Sequence, residues 1–276
     1  MADKTYENIK IVREGPITFL TLNRPGKRNA MSPALHYEME EAMLFLATDK
    51  ATRVLVLAGE GEAWCAGQDL KLYFRETSNN PEERRRSNAS SHRWRWDLMT
   101  TFPKPTIAMV NGYCFGAAFT QLCACDFAIA AEDATFGLSE VNWGILPGGI
   151  VSWNLTDMML PRHALYYATT GEPFDGKRAV ELGLVNFAVP KEKLREETMK
   201  LAEKMLKLNP SVVRYTKEAI RAVRGMTQEK ARDYLGAKQD SLHRADKEIG
   251  DKVGMKKFLD DKSYRPGLGP YQREEG

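Results

Sequence analysis

Cysteine and histidine are scarce in this chain, and no long apolar run is present. Four cysteines in 276 residues (Cys65, Cys114, Cys123 and Cys125) are too few for a disulfide scaffold at this size. Cys123 and Cys125 sit in the apolar stretch QLCACDFAIA and read as buried thiols. The four histidines (His36, His92, His163 and His243) are scattered, with no pair at ligand spacing, so no metal site is expected. No apolar run approaches the roughly 20 residues that span a bilayer. The opening MADKTYENIKIVREG lacks the apolar core of a secretory signal. A cytoplasmic protein with no membrane partner is therefore expected. A large net charge is also absent, with 40 Lys and Arg set against 37 Asp and Glu. A net +3 suits an anionic small molecule and argues only weakly for nucleic acid.

What is present is the ordinary composition of a globular chain, 43% hydrophobic and 28% charged, long enough for one or two domains. One basic run, EERRRSNASSHRWRW at 82–96, carries two tryptophans. A nucleic-acid surface would need such a patch on a recognised module. The simpler expectation is a helix in which Trp94 and Trp96 cover apolar surface while the arginines face water, with no nucleic-acid partner.

Along the chain, IKIV and ITFLTL predict a two-stranded hairpin. RPGKRNAMS reads as a turn-rich loop, followed by a helix from Ser32 through LHYEMEEAMLFLATD, with Ser32 as cap and Pro33 at its first position. RVLVLAG and TIAMVNG read as buried strands, DLKLYF as a short helix started at Asp69, and FAIAA and TFG as short strand-like pieces. Strand–helix alternation through the first 140 residues predicts an α/β core with a largely parallel sheet. Beyond residue 150 the pattern turns helical. The division expected is a core over 1–200 and a helical C-terminal region over 201–276, with apolar faces suited to burial on another subunit.

Two loops, WCAGQDLKLYF (64–74) and NGYCFGAAFTQL (111–122), each end a buried strand and open a helix with small residues. Small residues let a ligand approach the backbone. The unpaired N–H groups at a helix start suit an oxyanion, although Gly116, Ala117 and Ala118 would equally permit tight helix–strand packing. Neither loop fits the dinucleotide or Walker phosphate fingerprint.

The blocks LNRPGKRNAMS, AGQDL, KPTIAMVNGYCFGAAF and CDFAIAAEDATFGLSEVNWGILPGG occur in the order and spacing of the enoyl-CoA hydratase/isomerase (crotonase) superfamily, which the chain resembles from about residue 6 to about 272. KRNAMSP, GEAWCAGQDLKLYF, HRWRWDLM, ALYYATTGEPFDG and KKFLDDKSYRPGL are most similar to the hydroxycinnamoyl-CoA hydratase-lyase branch. The resemblance implies a ClpP-like spiral of ββα turns with a helical trimerisation region. It implies a homo-trimer or hexamer acting on an acyl-CoA thioester, coenzyme A being part of the substrate, with no separate cofactor. It places the backbone N–H groups of Gln68 and Ala117 at the oxyanion positions. Lys27, Arg28, Ala30 and Ala66 would lie along coenzyme A, with Phe258 reaching a neighbour's coenzyme A. Tyr73, Gly116, Thr120, Trp143 and Gly144 would lie around the acyl group.

Ordinary hydratases of this superfamily use two glutamates. One matches Glu140. The other matches Thr120, and the next acid downstream is Asp126. A single acid with a hydroxyl residue at position 120 is similar to the hydratase-lyase branch. That branch holds the substrate's para-hydroxyl with two tyrosines. Tyr73 matches one, but DYLGAK retains Tyr234 and has Gly236 where the second is expected. The activity implied is hydration of a 4-hydroxycinnamoyl-CoA followed by retro-aldol cleavage. The alternatives are hydration of another aromatic or alicyclic acyl-CoA without cleavage, and a non-catalytic binding protein on the same fold.

Overall fold

Alternation in the first strands gives the expected hairpin: β1 (Ile9–Glu14) and β2 (Ile17–Leu22) pair antiparallel, Ile9 opposite Leu22 and Glu14 opposite Ile17. The computed structural model describes residues 5–263. A 3-10 turn at Pro25–Lys27 leads into α1 (Pro33–Thr48). Ser32 caps α1 by accepting the Leu35 N–H at 3.3 Å, and Leu35, His36, Met39, Ala42, Met43 and Leu46 form its buried face.

β3 (Val54–Gly59) and β4 (Ala63–Cys65) come next, then a π-helix (Leu70–Arg75) whose start Asp69 caps through Lys71 and Leu72 N–H. α2 (Pro81–His92) runs into a second π-helix (Arg93–Leu98). β5 (Thr106–Val110), β6 (Tyr113–Phe115) and α3 (Ala118–Ala124) follow. β7 (Phe127–Ala131), β8 (Thr135–Gly137) and a 3-10 helix (Ser139–Trp143) come next. The chain continues through α4 (Val151–Met158), α5 (Pro161–Thr170), β9 (Phe174–Asp175), α6 (Gly176–Glu181) and β10 (Phe187–Val189) to α7 (Leu194–Leu206).

Ten strands build two sheets among the described residues, in the orders β1-β2-β3-β5-β7-β10 and β4-β6-β8-β9. Only the outer pairs β1–β2 and β8–β9 are antiparallel. Each core strand β3, β5 and β7 is followed at once by a short strand of the second sheet, then by helix. This is the spiral of ββα turns, and it delivers one loop per turn to the same end of the molecule. The strand cores are dry: Leu55, Val56, Leu57, Ile107, Ala108, Val110 and Ile129 are buried, as continuous apolar runs in a parallel sheet must be. The four cysteines are free and buried.

Two expectations need correction. Beyond residue 150 the chain is not purely helical: β9 and β10 are two and three residues long, too short for any periodic signal. Within the basic run, Trp94 is fully buried and Trp96 partly so, but not every arginine faces water. Arg95 is 7% exposed, on the same buried face as Ser87, Ser91 and Trp94.

Residues 5–102 and 106–199 form one compact unit, and 103–105 with 200–263 another. The second unit holds α8 (Pro210–Ala222), α9 (Gln228–Ala245) and α10 (Gly250–Leu259). Asn209 and Thr227 cap α8 and α9. Glu218 joins the two helices, accepting from Arg214 at 2.8 Å and Lys238 at 2.7 Å. Among the described residues no helix is long and apolar enough to cross a membrane, and no three His, Cys, Asp or Glu side chains gather where a metal ion would bind.

Candidate active site

Both small-residue loops and the segment around Glu140 open onto one cleft of about 940 Å³ in the first unit. The loop after β4 reaches it through Gly67, at φ +90°. A Cβ there would stand 2.8 Å from Phe115 O and 3.5 Å from Ala117 N, so the two loops touch at a position only glycine fits. Met31 N–H donates to Gly67 O at 2.8 Å, and Asp69 N–H donates to Met31 O at 2.9 Å. This one-residue parallel bridge turns the Gln68 N–H away from Met31, on a residue that lines the cleft. Ala117 precedes α3, and its N–H is among the amides that the helix leaves open. Among the described residues neither N–H has a backbone acceptor.

Glu140 reaches the cleft on the 3-10 helix Ser139–Trp143. It is 9% exposed, and its Oε2 has no hydrogen-bond partner among the described residues. A Cβ on Gly116, at φ +53°, would lie 3.2 Å from its Oε1, so the acid packs against the backbone one residue before Ala117. Burial raises the Glu140 pKa above its ordinary 4.5, an effect its own amide only partly offsets. Glu140 is the only carboxylate among the described residues lining the cleft. Asp126 is instead taken up by Thr106, whose N–H and hydroxyl bond its Oδ2 at 2.9 and 3.0 Å.

Of the other residues singled out in the sequence, Tyr73, Gly116, Trp143, Arg28 and Ala66 line the cleft. Arg28 stacks its guanidinium over Tyr113, 4.9 Å from the ring centroid. Tyr73, on the first π-helix, donates its hydroxyl to Asn88 Oδ1 at 2.6 Å. Thr120, Lys27, Ala30 and Gly144 do not wall the cleft; Thr120 is buried within α3 at 1% exposure. Phe258 is on α10 of the second unit, and Gly236 is on α9, with open space where a Cβ would be.

Sequence reasoning missed a buried polar chain behind the two small-residue loops. Trp94 Nε1–H donates to His36 Nδ1 at 2.8 Å, which fixes the tautomer, so His36 Nε2–H donates to Gln68 Oε1 at 2.8 Å. Gln68 Nε2 donates to Ser91 Oγ at 3.0 Å. Arg95 bonds the same Oγ through Nε and Nη2, at 3.1 and 2.8 Å, and reaches Ala117 O through Nη1 at 2.9 Å. Burial, reinforced by the Arg95 charge, lowers the His36 pKa to about 3. The available signal was a histidine inside the apolar stripe of α1.

The enoyl-CoA hydratase/isomerase family matches residues 13–265. The chain belongs to the enoyl-CoA hydratase/isomerase family. Within that family it is 51% identical over 271 residues to a hydroxycinnamoyl-CoA hydratase-lyase of Pseudomonas fluorescens, covering 97% of this chain and 98% of that one. It is 35% identical over 215 residues to a putative enoyl-CoA hydratase of Thermus thermophilus, covering 78% of this chain and 84% of the relative. Among solved structures, an enoyl-CoA hydratase from Bacillus anthracis superposes with a TM-score of 0.82 at 29% identity, covering 94% of this chain and 98% of the other. The two-sheet spiral is thus the family's fold, and the chain is an enzyme of that family.

Proposed function

We propose that this enzyme hydrates the side-chain double bond of a 4-hydroxycinnamoyl-CoA and then cleaves the product to an aromatic aldehyde and acetyl-CoA. The observation that carries the reading is the one carboxylate lining the cleft among the described residues, buried with an unpartnered oxygen, in a cleft also lined by Gln68 and Ala117. The likeness to the hydratase-lyase supports the substrate class. The thioester oxygen accepts from Gln68 N–H and Ala117 N–H, which stabilise the enolate. Glu140 takes a proton from water as the hydroxyl adds at Cβ, then returns it to Cα. It next removes the proton of the new β-hydroxyl, the Cα–Cβ bond breaks, the aldehyde leaves, and the enolate of acetyl-CoA is protonated by Glu140. One carboxyl serves as base and acid in turn, and a pKa raised by burial brings it closer to working pH.

Tyr73 suits the ring end. Its proton is committed to Asn88, so its oxygen is left to accept from a substrate para-hydroxyl. Arg28 and Ala66, with Lys27 and Ala30 beside them, would hold coenzyme A, and Phe258 would reach that of a neighbour. Gly116, Trp143 and Gly144 would border the acyl group, and Thr120 would fill the second-glutamate position without an acid. Assembly into a homo-trimer or hexamer is supported by exposed apolar side chains on α4, α5 and α8, namely Trp153, Leu165 and Ile220. The setting proposed is the cytoplasm, and the core and helical region are taken to divide near residue 200.

Purified protein with feruloyl-CoA tests the reading. Aldehyde and acetyl-CoA are expected in equal amounts. Accumulation of the hydrated thioester without aldehyde would replace it with a hydratase that does not cleave, an outcome the glycine at 236 makes worth measuring.

A further inference from the structure

The reaction above leaves a buried cation unused. Arg95 is 7% exposed, yet every acceptor it reaches is neutral: Ser91 O, Ser91 Oγ and Ala117 O. An uncompensated buried cation is costly, so its retention calls for a reason other than fold stability. Its position supplies one. The guanidinium bridges the two halves of the candidate oxyanion hole, which come from turns of the spiral some fifty residues apart in sequence. On one side Nη1 holds Ala117 O. On the other, Nε and Nη2 hold Ser91 Oγ, and that oxygen also holds Gln68 Nε2. The far end of Gln68 is tied by His36, itself fixed by Trp94. The backbone N–H groups of residues 68 and 117 belong to residues that this one chain holds through the Gln68 side chain and the Ala117 carbonyl.

We propose that Arg95 is a positioning residue that, through Ser91, locks Gln68 and Ala117 at the separation needed for both their N–H groups to bond one thioester oxygen. A planar guanidinium holds Ala117 O and Ser91 Oγ at once with fixed angles, and a lysine ammonium does not. The inference rests on the reading of residues 68 and 117 as the oxyanion donors. It deepens that reading by naming what holds them.

The test uses a readout of carbonyl polarisation that needs no turnover. In a Glu140→Ala background, bound feruloyl-CoA is expected to show a red-shifted absorption band, because two hydrogen bonds on the thioester oxygen draw charge along the conjugated chain. Adding Arg95→Lys is expected to remove at least half of that shift. With Glu140 intact, Arg95→Lys is expected to lower kcat about 100-fold, the scale set by a small misplacement of catalytic groups, while KM changes less than about threefold, as when an interaction made in the transition state is lost. Ser91→Ala deletes only the shared oxygen and should move both readouts in the same direction, so it serves if the arginine variant does not fold. An unchanged shift and kcat in folded Arg95→Lys, or a rise in KM with kcat intact, would overturn the proposal. No shift in Glu140→Ala alone would overturn both the proposal and the oxyanion reading. A normal shift without aldehyde from the wild type would refute only the cleavage reaction.

Discussion

Acidifying the protein from pH 7.5 to 5.0 should weaken its fold through His36. The ring is fully buried, its Nδ1 is committed as acceptor to Trp94 and its Nε2–H as donor to Gln68, so a second proton has no place without breaking the Trp94 bond. The folded-state pKa of about 3 lies far below the 6.5 of an ordinary histidine. A depressed pKa means that the unfolded chain binds the proton first. Stability is full above about pH 6.5 and declines as pH falls from there toward 3. At pH 5.0 the fall is 1.5 units at 1.36 kcal/mol each, about 2 kcal/mol. The assay is urea denaturation at both pH values on wild type and His36→Gln. The glutamine keeps the donation to Gln68 and strands the Trp94 N–H, a pH-independent loss. The wild type should lose about 2 kcal/mol more than the variant across this range. Parallel losses in the two proteins would refute the reasoning, since they would mean that His36 titrates alike in folded and unfolded chains.

Other outcomes are expected at the cleft. Glu140→Gln should lower turnover by orders of magnitude while thioester binding, measured by calorimetry, persists; near-normal activity would remove Glu140 from the chemistry. Because burial raises the Glu140 pKa, its ionised form opposes folding above about pH 4.5, so the same variant should also melt higher at neutral pH, with the gain vanishing in acid. Gly116→Ala places a methyl 3.2 Å from Glu140 Oε1 at a left-handed φ, and should cost about 1–2 kcal/mol of stability and lower kcat through the displaced acid. Gly236→Tyr enters open space on α9, should strengthen that helix by about 0.5–1 kcal/mol, and should raise kcat/KM for para-hydroxylated substrates over unsubstituted ones. An unchanged preference would remove position 236 from the ring pocket.

Much of this was legible in the residues. The hairpin, α1 with its serine cap, the apolar core strands and the two small-residue loops follow from period, caps and composition, and the motif blocks point to the spiral fold. What escaped depends on geometry that has no sequence period. An arginine is sent to water by its charge, whereas Arg95 is buried because its acceptor Ala117 O comes from another turn of the fold. Asn88 and Ser91 gain meaning only from the side chains opposite them. Thr120 is buried within α3, and its offset from Ala117 does not say which way its side chain turns.

The two amides at Gln68 and Ala117 belong to the main chain, and this separates inheritance from chemistry at the site. Nineteen of the twenty coded residues carry the same N–H, so neither donor is lost by ordinary substitution; proline alone deletes it. Side chains at 117, 120 and around the ring can change, and the acid inventory can shrink to one, without deleting either amide. The cleft can therefore acquire new substrates by mutation without first losing its reactivity, provided the loops keep their spacing.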